Sequence, residues 1–134
     1  MGRSPADGFS LIELLIVLAI VAILATVTVP SFTGFVAKAR RSDAMAALLQ
    51  VQLAQERWRA EHLSYTAELS ALGQPSSGSP DGCYRLRVQV DGNGFVVTAE
   101  PVGVQQADRC GTFAIDESGP HYADGFADRS CWRR

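Results

Sequence analysis

Residues 8–29 decide the fold: Gly8-Phe9-Ser10-Leu11-Ile12-Glu13 is followed by the run LLIVLAIVAILATVTV, which ends at Val29. Between Phe9 and Val29 the chain carries one charged residue, Glu13. A helix over this segment would extend roughly 31 Å, which is close to the thickness of the hydrocarbon core of a bilayer. We therefore predict an apolar helix at residues 9–29 that can span a membrane.

Two simpler interpretations of this segment are a cleaved secretory signal peptide and a plain membrane anchor. A signal peptide has a basic start, an apolar core of about 7–15 residues and a small-x-small cleavage site directly after the core. Here the start MGRSPADG has one Arg and one Asp, and the core is longer. The nearest small-x-small triplet, Ala37-Lys38-Ala39, lies beyond Pro30, so the pattern disfavours a signal peptide.

Glu13 disfavours both interpretations. An ionisable group inside an apolar span costs on the order of 2–3 kcal/mol, and such a group normally has a partner and a function. No Lys, Arg or His lies between Phe9 and Ala37. If the chain were cut before Phe9, the new amine would lie one helical turn from Glu13. That amine would be available to Glu13 of the same chain or of a neighbouring copy.

Composition excludes several other classes of protein. The 12 Lys and Arg against 14 Asp and Glu, a net charge of −2, exclude a polybasic nucleic-acid arm and an acidic tail. The three Cys and two His are too few and too scattered for a zinc framework. Asp91-Gly92-Asn93-Gly94 and the pair Asp124 and Asp128 are similar to calcium loops, but turn chemistry explains these residues without a metal.

The chain after Val29 predicts a helix followed by a sheet, which is an α+β order. Residues 30–61 predict an amphipathic helix whose apolar positions are Ala44, Met45, Leu48, Leu49, Val51, Leu53 and Trp58. Polar positions around them include Arg41 and Asp43. Alternation of apolar and polar residues predicts antiparallel strands at 84–90, 95–99 and 112–115. The first two strands would be joined by a hairpin turn at Asp91–Gly94.

Gly8-Phe9-Ser10-Leu11-Ile12-Glu13 with its apolar run resembles the prepilin motif of type IV pilins. In that family a membrane peptidase cuts after the glycine and methylates the new N-terminal phenylalanine. The retained helix anchors the subunit in the inner membrane and later packs in the filament core. The resemblance implies cleavage between Gly8 and Phe9 and an N-methylated Phe9. It also implies an assembly ion pair of Glu13 with a Phe9 amine, and a helix kink at Pro30.

The second half of the chain is similar to minor pilins of the PilE type, at Val97–Gly103, Asp108–Phe113 and Cys131-Trp132. The implied fold is a long N-terminal helix packed on a small antiparallel sheet with a C-terminal disulfide-closed loop. Three cysteines permit three single disulfides. In the resembling proteins the last two cysteines close the loop, which favours Cys110–Cys131 over a pairing with Cys83 and leaves the state of Cys83 open.

The resemblance implies a structural minor subunit of a type IV pilus, or fimbrium, of the kind that serves adhesion or twitching motility. It implies no catalytic residue, no cofactor and no metal. The implied partners are other pilin subunits, a prepilin peptidase, the inner-membrane assembly machinery and the membrane itself. The implied organisation is a leader at 1–8, a transmembrane and filament-core helix at 9–29, an amphipathic helix at 30–61 and a periplasmic loop-and-sheet domain at 62–134.

Two alternative functions stay open: a DNA-binding pilin for DNA uptake, and a pseudopilin of a type II secretion system. The cations near the C-terminus favour nucleic acid; they are Arg109, Arg129, Arg133 and Arg134. The acidic residues of the same stretch oppose it; they are Asp108, Asp116, Glu117, Asp124 and Asp128. A mixed, solvated surface is the simpler interpretation.

Charge counting and the cysteines disagree on the orientation of the chain. The leader carries Arg3, whereas Lys38, Arg40 and Arg41 follow the apolar span, and a positive-inside count would place the C-terminal part in the cytoplasm. We expect a periplasmic domain instead, because the leader is read by a dedicated peptidase and the cysteines favour an oxidising compartment. The subunit would be a single-pass inner-membrane protein before assembly and part of the extracellular pilus after it.

Overall fold

A computed structural model describes residues 8–74 and 78–133, so Arg134 lies outside the described residues. The chain divides after Phe35 into two compact units. One helix, α1 (Leu11–His62), contains both predicted helical segments and includes Pro30 in its interior. The helix begins two residues later than predicted and ends at His62, one residue later.

Within the described residues, four antiparallel strands form the sheet of the second unit, and each pairs with the next strand along the chain. They are β1 (Tyr84–Asp91), β2 (Gly94–Pro101), β3 (Phe113–Asp116) and β4 (Gly119–Pro120). Each of the three predicted strands is present, with ends that differ by one or two residues. The sequence prediction missed β4, because a strand of two residues shows no alternation of apolar and polar positions.

The hairpin between β1 and β2 has the predicted turn. Asp91 pairs with Gly94, so the loop consists of Gly92 and Asn93. Gly92 has φ of 56°, a left-handed conformation that glycine adopts at the first central position of a type II′ turn. The turn fixes the register of the whole β1–β2 pair, in which Leu86 lies opposite Ala99.

The core of the second unit lies between the later half of α1 and the sheet. Phe95, Val97 and Ala99 alternate along β2 and are buried there. Their partners come from α1, β1, β3 and the loops; they are Ala44, Leu48, Val51, Tyr65, Tyr84, Leu86, Phe113, Ile115, Ala127, Cys110 and Cys131. The core is therefore assembled from segments that are distant from one another in the sequence.

The buried face of α1 differs from the predicted apolar face. Leu49 and Leu53 are 49% and 53% exposed, so their assignment to the core-facing side was wrong. Arg41 and Asp43, which are predicted as polar positions around the apolar face, are both buried. The reason is that the loops packed on α1 offer polar partners to these two side chains, which apolar periodicity does not reveal.

Candidate functional site

The N-terminal part of α1 presents an almost uninterrupted apolar surface. Its large apolar side chains from Leu11 to Phe35 are all more than half exposed, and within this segment Glu13 is the acidic residue of the first turn. In the described part of the chain, α1 is the one helix long and apolar enough to cross a membrane. Apolar surface of this extent is not stable in water, so it requires lipid or protein around it.

The hydroxyl groups in this segment are satisfied within the helix. Thr26 and Thr28 donate to the carbonyls of Ile23 and Leu24, at 2.7 and 2.9 Å. Thr33 donates to the carbonyl of Pro30 at 2.9 Å. Because each hydroxyl finds a backbone acceptor on its own helix, the polar residues of the segment are compatible with an apolar environment.

The residues predicted to be processed lie directly before α1. Gly8, Phe9 and Ser10 precede the first helical residue, and Glu13 lies in the first turn. The side chain of Phe9 is 82% exposed. The predicted cleavage, methylation and ion pairing at these positions remain predictions, because they involve a peptidase and a neighbouring subunit.

A buried polar network attaches the connection between β2 and β3 to α1. Asp108 pairs with Arg41. The side-chain nitrogen Nε2 of Gln105 donates to the Ala37 carbonyl at 3.1 Å and to the Tyr84 hydroxyl at 2.9 Å. Burial raises the pKa of Tyr84 to about 12, so this hydroxyl stays protonated at neutral pH. This network is not among the predicted features, because no spacing in the sequence indicates it.

Asp43 holds the loop that enters β1. Its carboxylate accepts hydrogen bonds from the Ser79 hydroxyl, from the Asp81 amide at 3.0 Å and from the Cys83 amide at 3.3 Å. Three donors on one carboxylate are characteristic of a loop anchor. Cys83 is therefore held at a fixed place. Burial raises the pKa of this thiol, which keeps it in its less reactive, protonated form.

The C-terminal loop, residues 121–133, is closed by the disulfide Cys110–Cys131. Both cysteines are buried, and Trp132 packs edge-on against Phe113 of β3 with ring centroids 5.4 Å apart. The pairing implied by the resemblance is therefore present, and in the described residues Cys83 is the free cysteine. The disulfide and this aromatic contact hold the end of the loop on the sheet.

The charges of the C-terminal region are arranged differently from what their sequence order suggests. Of the acidic residues there, Asp108 is buried against Arg41, and Asp116 and Asp124 both contact His121. Arg109, Arg129 and Arg133 are exposed. The guanidinium of Arg129 lies over the Tyr122 ring, 5.3 Å from its centroid. Several carboxylates are thus engaged within the protein, while the arginines face solvent.

Comparison with known families agrees with this architecture. Residues 3–29 match the prokaryotic N-terminal methylation motif. Residues 30–114, more than half of the chain, match the family described as "Type IV minor pilin ComP, DNA uptake sequence receptor". The chain belongs to this family of type IV minor pilins. The predicted family and the predicted α+β pilin fold are confirmed, and the family consists of structural proteins.

This pilin is also similar to individual relatives. It is 39% identical over 92 residues to the type IV major pilin protein PilE of Neisseria gonorrhoeae, covering 69% of this chain and 54% of that protein. It is 38% identical over 80 residues to the type IV major pilin protein PilA of Myxococcus xanthus, covering 59% of this chain and 36% of that protein. The pilin thus spans about half the length, or less, of these relatives.

A solved structure of a type IV pilin from Shewanella oneidensis has the same fold. Its TM-score is 0.54 and its identity is 29%, and the match covers 73% of this chain and 99% of that chain. The apolar N-terminal helix of this pilin is consistent with anchoring in a membrane before assembly.

Proposed function

We propose that this pilin is made as a prepilin and becomes a minor structural subunit of a type IV pilus. The observation that carries the proposal is the exposed apolar surface of α1 from Leu11 to Phe35, which directly follows the methylation motif. This surface is covered first by lipid and later by the apolar helices of neighbouring subunits. Because the surface is largely apolar, lipid and the apolar helices of neighbours are both more favourable surroundings for it than water.

The segments of the chain have separate tasks in this proposal. Residues 1–8 are the leader, and 9–29 form the transmembrane and filament-core helix. Residues 30–61 form the amphipathic helix, and 62–134 form the periplasmic loop-and-sheet domain. Pro30 lies inside α1 and lacks the amide that would bond to the carbonyl four residues earlier, so we expect it to kink the helix there.

Cleavage of the leader creates the Phe9 amine, which takes part in assembly. A prepilin peptidase cuts between Gly8 and Phe9 and methylates the amine of Phe9. The new cation is then available to the carboxylate of Glu13 on a neighbouring subunit. In a filament core with little water, an unpaired carboxylate is costly, so pairing sets the axial register of the incoming subunit.

The periplasm is the compartment that suits the folded unit. The disulfide between Cys110 and Cys131 forms readily in an oxidising compartment and is rare in a reducing cytoplasm. The domain therefore folds on the periplasmic side of the inner membrane, from which the assembly machinery transfers the subunit into the extracellular pilus. This orientation runs against the simple count of positive charges around the span.

Replacement of Glu13 by Val tests the filament proposal. The measurement is the ratio of this pilin in sheared pili to that in membranes, compared with the natural chain. We expect the ratio to fall severalfold, while membrane insertion stays intact. Ser31→Val is the matched control in the same helical segment and should leave the ratio unchanged. An unchanged ratio for Glu13→Val would contradict the proposed role of the carboxylate.

A second candidate function, a DNA receptor, has its own support. The matched family is described as a receptor for a DNA uptake sequence. Three of the five acidic residues that oppose DNA binding are engaged with Arg41 or His121, whereas Arg109, Arg129 and Arg133 are exposed. Exposed arginines suit contacts with phosphates, and Arg129 lies beside the aromatic ring of Tyr122.

Gel-shift assays at two salt concentrations test this second candidate. If Arg109 and Arg129 contact phosphates, replacing either by Ala should weaken binding and reduce the salt slope by about 1. Arg57→Ala, an exposed arginine on α1, is the control and should bind as the natural pilin does. Binding that is absent, or that does not depend on salt, would exclude the receptor function and leave the filament function untouched.

A further inference from the structure

His121, the first residue of the C-terminal loop, contacts a carboxylate with each of its ring nitrogens. Nδ1 lies 3.0 Å from Oδ2 of Asp116, and Nε2 lies 3.2 Å from Oδ2 of Asp124. An ionised carboxylate only accepts hydrogen bonds, so both contacts are hydrogen bonds only when both nitrogens carry a proton. The geometry therefore favours the imidazolium form.

The two carboxylates belong to different parts of the fold. Asp116 ends β3, and its other oxygen accepts hydrogen bonds from the amides of Ser118 and Gly119. Asp124 lies within the C-terminal loop at a left-handed φ of 60°. His121 thus joins a rigid corner of the sheet to a point inside the loop, and the ring of Phe126 packs edge-on against it.

The charged neighbours of this imidazole are the two carboxylates. In the described part of the chain, Asp116 from the sheet and Asp124 from the loop are the charged groups that contact it. The hydrogen bond to Asp116, followed by that to Asp124, raises the pKa of His121 against the opposing effect of burial. Burial alone would raise the pKa of Asp116, but the hydrogen bonds from His121, Ser118 and Gly119 together lower it.

We propose that His121 is a pH-dependent clamp, which holds the C-terminal loop on the sheet when the imidazole is charged and loosens it when the imidazole is neutral. A neutral imidazole has one N–H, so one carboxylate then faces a lone pair instead of a donor. The loop has two backbone attachments nearby, from the His121 amide to Ala114 at 2.9 Å and from the Ala127 amide to Thr112 at 2.8 Å. Asp124 lies between these two attachments in the sequence, so we expect loss of the clamp to weaken the attachment at Ala127.

The direction of the pH dependence follows from the raised pKa of His121 and the lowered pKa of Asp116. A raised pKa of His121 contributes stability that is fully present below the ordinary value of 6.5 and is lost as pH rises through the raised value. A lowered pKa of Asp116 contributes stability that is present above the ordinary value of 3.8 and is lost as pH falls through the lowered value. The clamp is thus closed in mild acid and opens in the alkaline direction.

Amide hydrogen exchange of Ala127, followed by NMR in the full chain in detergent micelles, tests the clamp. The protection factor at each pH is the intrinsic exchange rate divided by the measured rate, which removes the ordinary effect of pH on exchange. Between pH 5.5 and 8, we expect the protection factor of the natural chain to fall by about tenfold, the size expected for loss of one charge-assisted hydrogen bond.

Three variants separate the clamp from a general change in the fold. His121→Gln should abolish the pH dependence of Ala127. Asp124→Asn should reduce it, because Asn tolerates the left-handed backbone and keeps the loop shape. His62→Gln, at the other histidine of the chain, should behave as the natural chain does. A pH-independent protection factor in the natural chain, or an equal fall in His121→Gln, would overturn the proposal.

Discussion

The guanidinium of Arg41 donates two hydrogen bonds to the carboxylate of Asp108, from Nε at 2.8 Å and from Nη2 at 2.6 Å. The two side chains are 11% and 3% exposed, and they are 67 residues apart in the sequence. The hydrogen bond to Asp108 raises the pKa of Arg41, against the opposing effect of burial. This pair attaches the connection between β2 and β3 to α1 at a defined place.

Breaking this pair on one side should destabilise the pilin. Asp108→Leu leaves a buried guanidinium without its partner, and we expect a loss of about 3–5 kcal/mol of unfolding free energy. The double change Arg41→Met with Asp108→Leu should cost much less, because no buried charge remains. Denaturant unfolding of the full chain in micelles, followed by tryptophan fluorescence, measures both.

The exposed pair of Arg87 and Glu100, 3.5 Å apart, is the control for this prediction. Arg87→Met should change the unfolding free energy by less than about 1 kcal/mol, since water screens an exposed pair. Equal losses for Asp108→Leu and Arg87→Met would mean that the buried pair has no special role.

Asp43→Ala should loosen the loop that enters β1. The Ser79 hydroxyl and the amides of Asp81 and Cys83 would lose their common acceptor, at a cost of about 2–4 kcal/mol. We expect faster alkylation of the Cys83 thiol as well as lower stability. The rate of labelling by iodoacetamide measures the first effect. Asp91→Ala, which removes an exposed carboxylate at the other end of β1, should label at the natural rate.

The disulfide prediction compares three cysteines. Cys110→Ser or Cys131→Ser opens the closed loop, and we expect a loss of roughly 3 kcal/mol, or several degrees in Tm. Cys83→Ser should cost much less, because Cys83 makes no covalent bond. Thermal unfolding under oxidising conditions provides the comparison, and the opposite ranking would show that Cys83 has a structural role that the fold does not indicate.

Processing is checked by mass spectrometry of the intact chain from sheared pili. We expect a chain that begins at Phe9 and carries one additional methyl group. Gly8→Ala should accumulate as the longer, uncut form, because the peptidase reads the residue before the cut. A mature chain that begins at Met1 or at Arg40 would contradict the prepilin interpretation.

The sequence revealed the elements of the fold because their signals are local. The apolar run, the position of Glu13 and the alternation in β1 and β2 are each visible within a short window. β4 and the exposure of Leu49 and Leu53 were not visible in this way. Whether a position on an amphipathic helix faces the core depends on which loop packs against it, and that loop is distant in sequence.

In the C-terminal loop, too, one feature was visible in the sequence and another only in the fold: the disulfide was visible, and the pairing of the charges was not. The resemblance to pilins indicated Cys110 and Cys131, but the pairing of Asp116 and Asp124 with His121 appeared only in three dimensions. Counting acidic residues overstated the negative charge available to repel DNA, because a carboxylate that has a buried or cationic partner no longer acts as a free charge.

By itself, the sequence determined that this chain has an apolar N-terminal helix, a prepilin motif and an antiparallel sheet after an amphipathic helix. These features depend on residue periodicity and on a motif of adjacent residues. Only the tertiary structure decided that Arg41 is paired with Asp108, that Asp43 anchors the entry to β1 and that His121 joins the sheet to the loop. Each of these contacts depends on the path of the folded backbone between its partners, and a buried charge is stable only where that path brings a partner to it.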